Sequence, residues 1–220
     1  MQLNQDQQDA VTHIFETGET YLIGQMGSGK TAVALTAACE LLRDKVVSRV
    51  LVVAPLKVCQ RVWPVETEKW GQGLRGVGCT GDPIQRLNAI RSPERILVVN
   101  FENLTWLLEQ DHKCDMLIID EVSKMKAGGA HFKSLRKVLD TFKVRLVMSG
   151  TPVSEDWLGL FYPMMIVSPD IFGRNKRKFQ RKYFHAVDYM EYDWQLRAGQ
   201  ETQITARIAP YIRVLPDYVD

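Results

Sequence analysis

The sequence predicts an α/β fold, a doubly wound and mainly parallel sheet flanked by helices, and two observations carry that expectation. Five short runs of β-prone apolar residues alternate with segments of helical periodicity, each run bounded by polar or glycine-containing residues, which is the pattern of a parallel sheet covered by helices. The length, 220 residues, suits one sizeable core with an appendage and is short for two full α/β lobes.

The elements follow in order. A helix beginning near Asn4 and carrying Val11 leads into the first run, Tyr21-Leu22-Ile23-Gly24. Residues 31–43, rich in Ala and Leu, read as a helix before the second run, residues 49–54. Val58, Val62, Val65 and Trp70 lie near helical spacing, predicting one helix over 57–70, and Asp82-Pro83 is a cap-plus-proline helix start. Three further runs occupy residues 95–100, 115–120 and 144–149. After Pro152 no β run stands out, while 157–167, 176–186 and 195–211 read as helices separated by Pro169, Gly173 and residues 189–193. The predicted organisation is therefore an α/β lobe over 1–153 and a helical appendage over 154–220, with Leu215-Pro216 as the start of a linker.

Composition excludes several classes. Hydrophobic residues make up 45% and charged residues 25%, and no apolar run approaches the roughly 20 residues needed to span a bilayer, so a membrane role is not expected. The polar N-terminus lacks the basic start and apolar stretch of a secretory signal, which predicts a cytoplasmic protein. Cys39, Cys59, Cys79 and Cys114 form no closely spaced pair, and His13, His112, His131 and His185 do not cluster, so zinc, redox and imidazole chemistry are not expected. The formal net charge of +2 leaves only the local distribution of charge to speak for nucleic acid.

The chemistry sits in three motifs. Gly24-Gln25-Met26-Gly27-Ser28-Gly29-Lys30-Thr31 joins a strand to a helix, the context in which the G-x-x-x-x-G-K-[ST] pattern is a phosphate loop. Backbone N–H groups from Gly24, Met26, Gly27, Ser28 and Gly29 would wrap the phosphates of ATP. Lys30 would reach the β and γ oxygens, and the Thr31 hydroxyl would bind Mg²⁺. Asp120-Glu121 follows the fourth run at its carboxyl end, where ligands of open parallel sheets bind; Asp120 is expected to hold Mg²⁺ through water and Glu121 to orient and polarise the attacking water. Ser149-Gly150-Thr151-Pro152 ends the last run at the same edge, where Ser149, Gly150 and Thr151 can link the nucleotide to another surface.

Upstream, Gln7 has two readings. Its amide can pair with both N6 and N7 of adenine, favouring ATP over GTP, or it can serve as the third helical residue of a capping box with Asn4. No guanine-reading Asn-Lys-x-Asp occurs, since Asn175-Lys176-Arg177-Lys178 fails at the acidic position.

The order of these elements resembles the first RecA-like lobe of superfamily 2 helicases, most closely the Swi/Snf-like DNA translocases. Leu3-Asn4-Gln5-Asp6-Gln7 is similar to that family's adenine motif, residues 24–31 to motif I, Val52-Val53-Ala54-Pro55-Leu56 to motif Ia with the helix of Trp63, Glu66 and Trp70 after it, residues 97–102 to its strand-then-aromatic-Glu motif, 120–127 to motif II and 149–152 to motif III. Ser123 and Ala127 replace the family's motif II histidine and asparagine, whereas Lys126 retains its lysine. The short spacings resemble compact bacterial or phage members.

The resemblance implies a DNA-stimulated ATPase that moves along duplex DNA through sequence-independent backbone contacts. It implies a second RecA-like lobe beyond residue 220, whose arginine fingers would contribute about 10³–10⁵ in rate, so that this lobe alone would hydrolyse ATP slowly. It also places nucleic-acid contacts at Pro55, Lys57, Thr80, Gly81 and Asn100; Gly81 equally reads as a plain turn. Arg174, Lys176 and Arg177 open a basic run interleaved with Phe179, Tyr183 and Phe184, a composition that binds nucleic-acid backbones and that is also common on solvated helices. The alternatives are a nucleotide-responsive binding module without efficient hydrolysis, an RNA helicase and a restriction-type translocase.

Overall fold

The computed structural model of the chain describes residues 2–125, 128–150 and 157–217. Helix α1 (Gln5–Thr17) begins at Asn4, whose side chain accepts from the Gln7 N–H at 3.0 Å while Gln7 Oε1 accepts from the Asn4 N–H at 3.1 Å, a reciprocal capping box. It buries Ala10, Val11, His13 and Ile14. Strand β1 (Glu19–Ile23) then runs into the glycine-rich turn and α2 (Lys30–Arg43), where Ala32, Ala34, Ala37 and Ala38 let the helix lie close to its neighbours.

The middle of the chain supplies β2 (Val50–Ala54), α3 (Leu56–Arg61), α4 (Trp63–Trp70), β3 (Gly76–Cys79), α5 (Pro83–Arg91), β4 (Ile96–Asn100), α6 (Phe101–Leu108), β5 (Met116–Ile119), α7 (Ala130–Arg136) and β6 (Val144–Ser149). The single helix expected over 57–70 is two. Pro64 has no N–H to continue the ladder and its ring crowds the preceding turn, so the chain breaks at Val62. The start predicted at Asp82-Pro83 is realised as a second capping box, with Gln85 as the reciprocal partner.

Seven parallel strands form one sheet in the order β3-β4-β2-β5-β6-β1-β9, where β9 is Ile212–Val214. Every residue of β2, β4 and β5 is buried, as both-face coverage requires. Strand alternation divides the core: Leu51, Val53, Leu117 and Ile119 point into one cluster, and Val50, Val52, Met116 and Ile118 into another with α1, α2 and Trp63.

The expectation of a purely helical segment after Pro152 is corrected. Helices α8 (Phe161–Val167), α9 (Lys176–Tyr183) and α10 (Gln200–Ile208) are present, but β7 (Phe184–Ala186) and β8 (Trp194–Leu196) form an antiparallel hairpin, and β9 joins the main sheet beside β1. Three-residue strands are too short to print a period of two on the sequence. Phe161, Phe179 and Ile204 are buried in the same cluster as Leu51 and Ile119, so these residues share the core of the lobe. The division expected between residues 153 and 154 lies outside the described residues.

All four cysteines are free and buried. Among the described residues no helix is long and apolar enough to cross a membrane. One buried titratable group sets a pH dependence: burial, with the Arg213 guanidinium of β9 adding, pushes His13 down to about 4. Its folded pKa is depressed, so the unfolded chain takes the proton first. Its contribution is fully present above about 6.5, the unfolded value, and is lost as pH falls towards 4. The urea midpoint should therefore drop between pH 7 and pH 5, and His13→Leu should flatten that component of the profile; an unchanged slope in the variant would exclude His13 as its source.

Candidate functional site

Parallel topology brings the three motifs together. Strand β6 lies between β1 and β5, so the glycine-rich turn, the Ser149-Gly150 strand end and Asp120-Glu121 occupy adjoining carboxyl ends of one sheet. They line a cleft of about 770 Å³ together with Pro55, Val58, Val62 and Glu66.

The loop is built for close backbone approach. Gly29 has φ 85°, a left-handed conformation that favours glycine, and a Cβ there would push aside the Gln7 amide. Helix α2 begins at the next residue, aiming its N-terminal N–H groups and dipole at the cleft. Lys30 Nζ turns inward and donates to Gly24 O and, at 2.8 Å, to Gln25 O. Burial lowers its pKa, against which Asp120 and Glu121 act. Ser28 Oγ is buried without a hydrogen-bond partner inside the loop. An inward-facing ammonium and the hard oxygen donors of Thr31 and Asp120 in one cleft, beside a loop that holds an unspent buried hydroxyl, fit a magnesium-bound nucleotide triphosphate.

Across the cleft, the Asp120 N–H continues the sheet pattern by donating to Val53 O at 2.8 Å. Burial raises the Asp120 carboxyl pKa, opposed by a hydrogen bond from Trp63 and the charge of Lys30. Glu121 follows at φ 67°, a region that non-glycine side chains rarely adopt. The cause is local: Val122 is fully buried, and the chain must turn sharply from the strand to place it in the core. The turn leaves Glu121 half-buried on the wall of the cleft.

Gln7 realises its capping reading and also reaches the loop, Nε2 donating to Ser28 O at 3.1 Å. These bonds use one acceptor lone pair and one N–H, leaving one of each for a base. Ser149 is buried at the end of β6, where its carbonyl accepts from Gly24 N–H at 3.1 Å, and Gly150 lines the cleft. Thr151 and Pro152, like Lys126 and Ala127 of motif II, lie outside the described residues; Ser123 is exposed.

The nucleic-acid positions divide. Pro55 and Lys57 follow β2, and Thr80 and Gly81 follow β3, at the same sheet edge. Gly81, at φ 86°, adjoins the Asp82 cap. Asn100 ends β4 at 5% exposure, its amide donating to Glu102 at 2.5 Å and accepting from Asn103 at 2.8 Å. On the basic run, Arg174 is paired with Asp140 at 2.9 and 3.1 Å, and Lys176 lies 5.0 Å from the centre of the Tyr162 ring. Arg177 lines a separate cavity of about 300 Å³ with Arg181, Tyr192 and Trp194.

The sequence places Trp63 only on the helix that follows motif Ia. It is fully buried, yet its indole N–H donates to Asp120 Oδ2 at 3.0 Å. No motif spacing announces a pair 57 residues apart.

The DEAD/DEAH box helicase profile matches residues 4–157. Protein p41 of Acyrthosiphon pisum secondary endosymbiont phage 1 is 28% identical over 199 residues, 84% of this chain and 43% of that protein. The DNA repair and recombination protein RAD54 of Oryza sativa subsp. japonica is 26% identical over 188 residues, 75% of this chain and 18% of that protein. In fold, the chain is similar to the Sulfolobus solfataricus SWI2/SNF2 ATPase core in complex with dsDNA, with a TM-score of 0.80 at 22% identity, covering 99% of this chain and 45% of that one. The chain thus spans less than half the length of these relatives.

Proposed function

The chain belongs to the DEAD/DEAH box helicase family, and on that premise we propose that it is the N-terminal ATP-binding lobe of a Swi/Snf-like translocase that couples ATP hydrolysis to movement on duplex DNA. One observation carries the reading: the phosphate loop, the Asp120-Glu121 pair and the Ser149-Gly150 strand end wall a single cleft at the carboxyl edge of the sheet. In this proposal residues 24–31 hold the triphosphate of ATP, Thr31 and Asp120 hold Mg²⁺, and Glu121 orients the attacking water. Bound Mg²⁺ supplies charge neutralisation of the phosphates.

Met26, fully exposed at the tip of the loop, marks the open side of the cleft, and a second RecA-like lobe is the proposed cover. Closing that side would exclude water and add the positive charge that hydrolysis requires. Pro55, Lys57, Thr80 and Gly81 form the proposed track along the sheet edge, contacting backbone phosphates without reading bases. The neighbour whose fold this chain shares was solved with double-stranded DNA, which supports a duplex track.

The test is steady-state ATP hydrolysis by the full-length protein with duplex DNA, single-stranded DNA or RNA, beside a Lys30→Ala variant. Duplex DNA should stimulate most, and the variant should lose nucleotide binding because the ammonium that faces the phosphates is gone. Stimulation chiefly by RNA or single strands would move the track. Tight Mg·ATP binding without hydrolysis on any of them would leave a nucleotide-responsive binding module instead.

A further inference from the structure

The bond between Trp63 and Asp120 is unusual in where each partner sits. Trp63 belongs to the cluster of α1, α2 and the adjoining sheet face, and its fully buried ring leaves that cluster only through its N–H. A buried indole needs an acceptor for its single donor. Backbone carbonyls are the usual acceptors; here the acceptor is the carboxylate on the floor of the nucleotide cleft, at 3.0 Å. The backbone of that carboxylate is itself pinned, its N–H donating to Val53 O at 2.8 Å. Asp120 is thus held at two points, and Oδ1 together with the second lone pair of Oδ2 remains for the cleft.

Resting on the nucleotide-site reading above, we propose that Trp63 is a positioning residue for the magnesium-binding carboxylate. Without its N–H the Asp120 side chain is free to rotate about two torsions at the half-buried floor of the cleft, and the ordering of that side chain falls to the metal. The neighbouring chain is suited to keeping the indole still: Pro64 fixes the start of α4, and Thr67, one turn on, bonds its hydroxyl to Trp63 O at 2.6 Å. Val58, Val62 and Glu66 of the same segment line the cleft directly, so the helix pair that frames the nucleotide also aims its metal ligand.

The experiment is a titration of this chain with a fluorescent ATP analogue, in EDTA and across a Mg²⁺ series. Two variants are compared with wild type: Trp63→Phe, and Trp63 replaced by benzothienylalanine, which keeps the bicyclic shape and lacks the N–H. Both should bind the analogue in EDTA as wild type does and require about 10-fold more Mg²⁺, the scale on which partners of metal ligands act. In the full-length protein kcat should recover at high Mg²⁺, which a merely structural defect would not allow. On an Asp120→Asn background, Trp63→Phe should add nothing to the Mg²⁺ requirement. An unchanged requirement in the benzothienylalanine protein, or weakening equal with and without Mg²⁺, overturns the positioning role. Failure of wild type to bind the analogue at all overturns the nucleotide-site reading itself, a separate and distinguishable result.

Discussion

Glu121→Gln in the full-length protein should bind Mg·ATP close to wild type and turn it over about 10²–10⁴-fold more slowly, the range over which a positioned proton acceptor acts. The substitution keeps the length and planarity of the side chain and its place on the cleft wall, and removes only the charge proposed to polarise water. Neither Lys30 nor Thr31 is touched, so binding and chemistry should separate. Single-turnover hydrolysis after rapid mixing, set beside equilibrium affinity, reads both; normal turnover would take the water-orienting role from Glu121. The backbone provides a second check. At φ 67° a glutamate is strained, and Glu121→Gly should relieve that strain, raising stability by about 1 kcal/mol while abolishing turnover. A gain in stability with loss of turnover would separate the strain that the turn places on any side chain from the role proposed for Glu121.

What could be read from the sequence was local. The phosphate loop is eight consecutive residues whose strand-to-helix context is visible in the chain itself, and the caps at Asn4 and Asp82 are contacts three residues long. The five long apolar runs became β1, β2, β4, β5 and β6 because strands buried on both faces are apolar throughout. Strand β3 stayed hidden because Gly76-Val77-Gly78-Cys79 has two glycines, little β propensity and an edge position. Strand β9 stayed hidden because three residues carry no period, and its partner β1 is nearly the whole chain away. The site divides in the same way. Lys30, Asp120 and Glu121 belong to motifs, whereas the Trp63 bond to Asp120 exists only once β2 and β5 pair. Asn100 shows the same limit: the strand end is legible in the sequence, but the turn of its amide toward Glu102 and Asn103 is decided by neighbours on α6.

Arg49 extends that argument to stability. It precedes β2 as an unremarkable polar boundary, yet it is 8% exposed and donates all five N–H bonds to backbone carbonyls. Nε reaches Glu94 O at 3.0 Å, one terminal nitrogen reaches Ile90 O and His112 O at 2.7 and 3.1 Å, and the other reaches Ala89 O and Ser92 O at 3.2 and 3.3 Å. One guanidinium thereby ties the end of α5, where the helix dipole favours a cation, to the start of β2 and the segment before β5. Arg49→Met keeps the apolar stem and strips five carbonyls of their donor in one step. It should destabilise the fold by about 3–5 kcal/mol in urea unfolding, since hydrogen bonds to charged groups are the strong ones and five part-buried or buried acceptors lose their donor together. Arg49→Lys should recover only about half, because three donors on a point charge cannot serve five acceptors spread over a plane. Arg49 lies at the amino end of β2 and the nucleotide cleft at its carboxyl end, so affinity for Mg·ATP, measured below the unfolding transition, should stay near wild type. Loss of affinity in parallel with stability would mean that the two ends of the sheet are energetically coupled, and that the clasp at Arg49 also shapes the cleft.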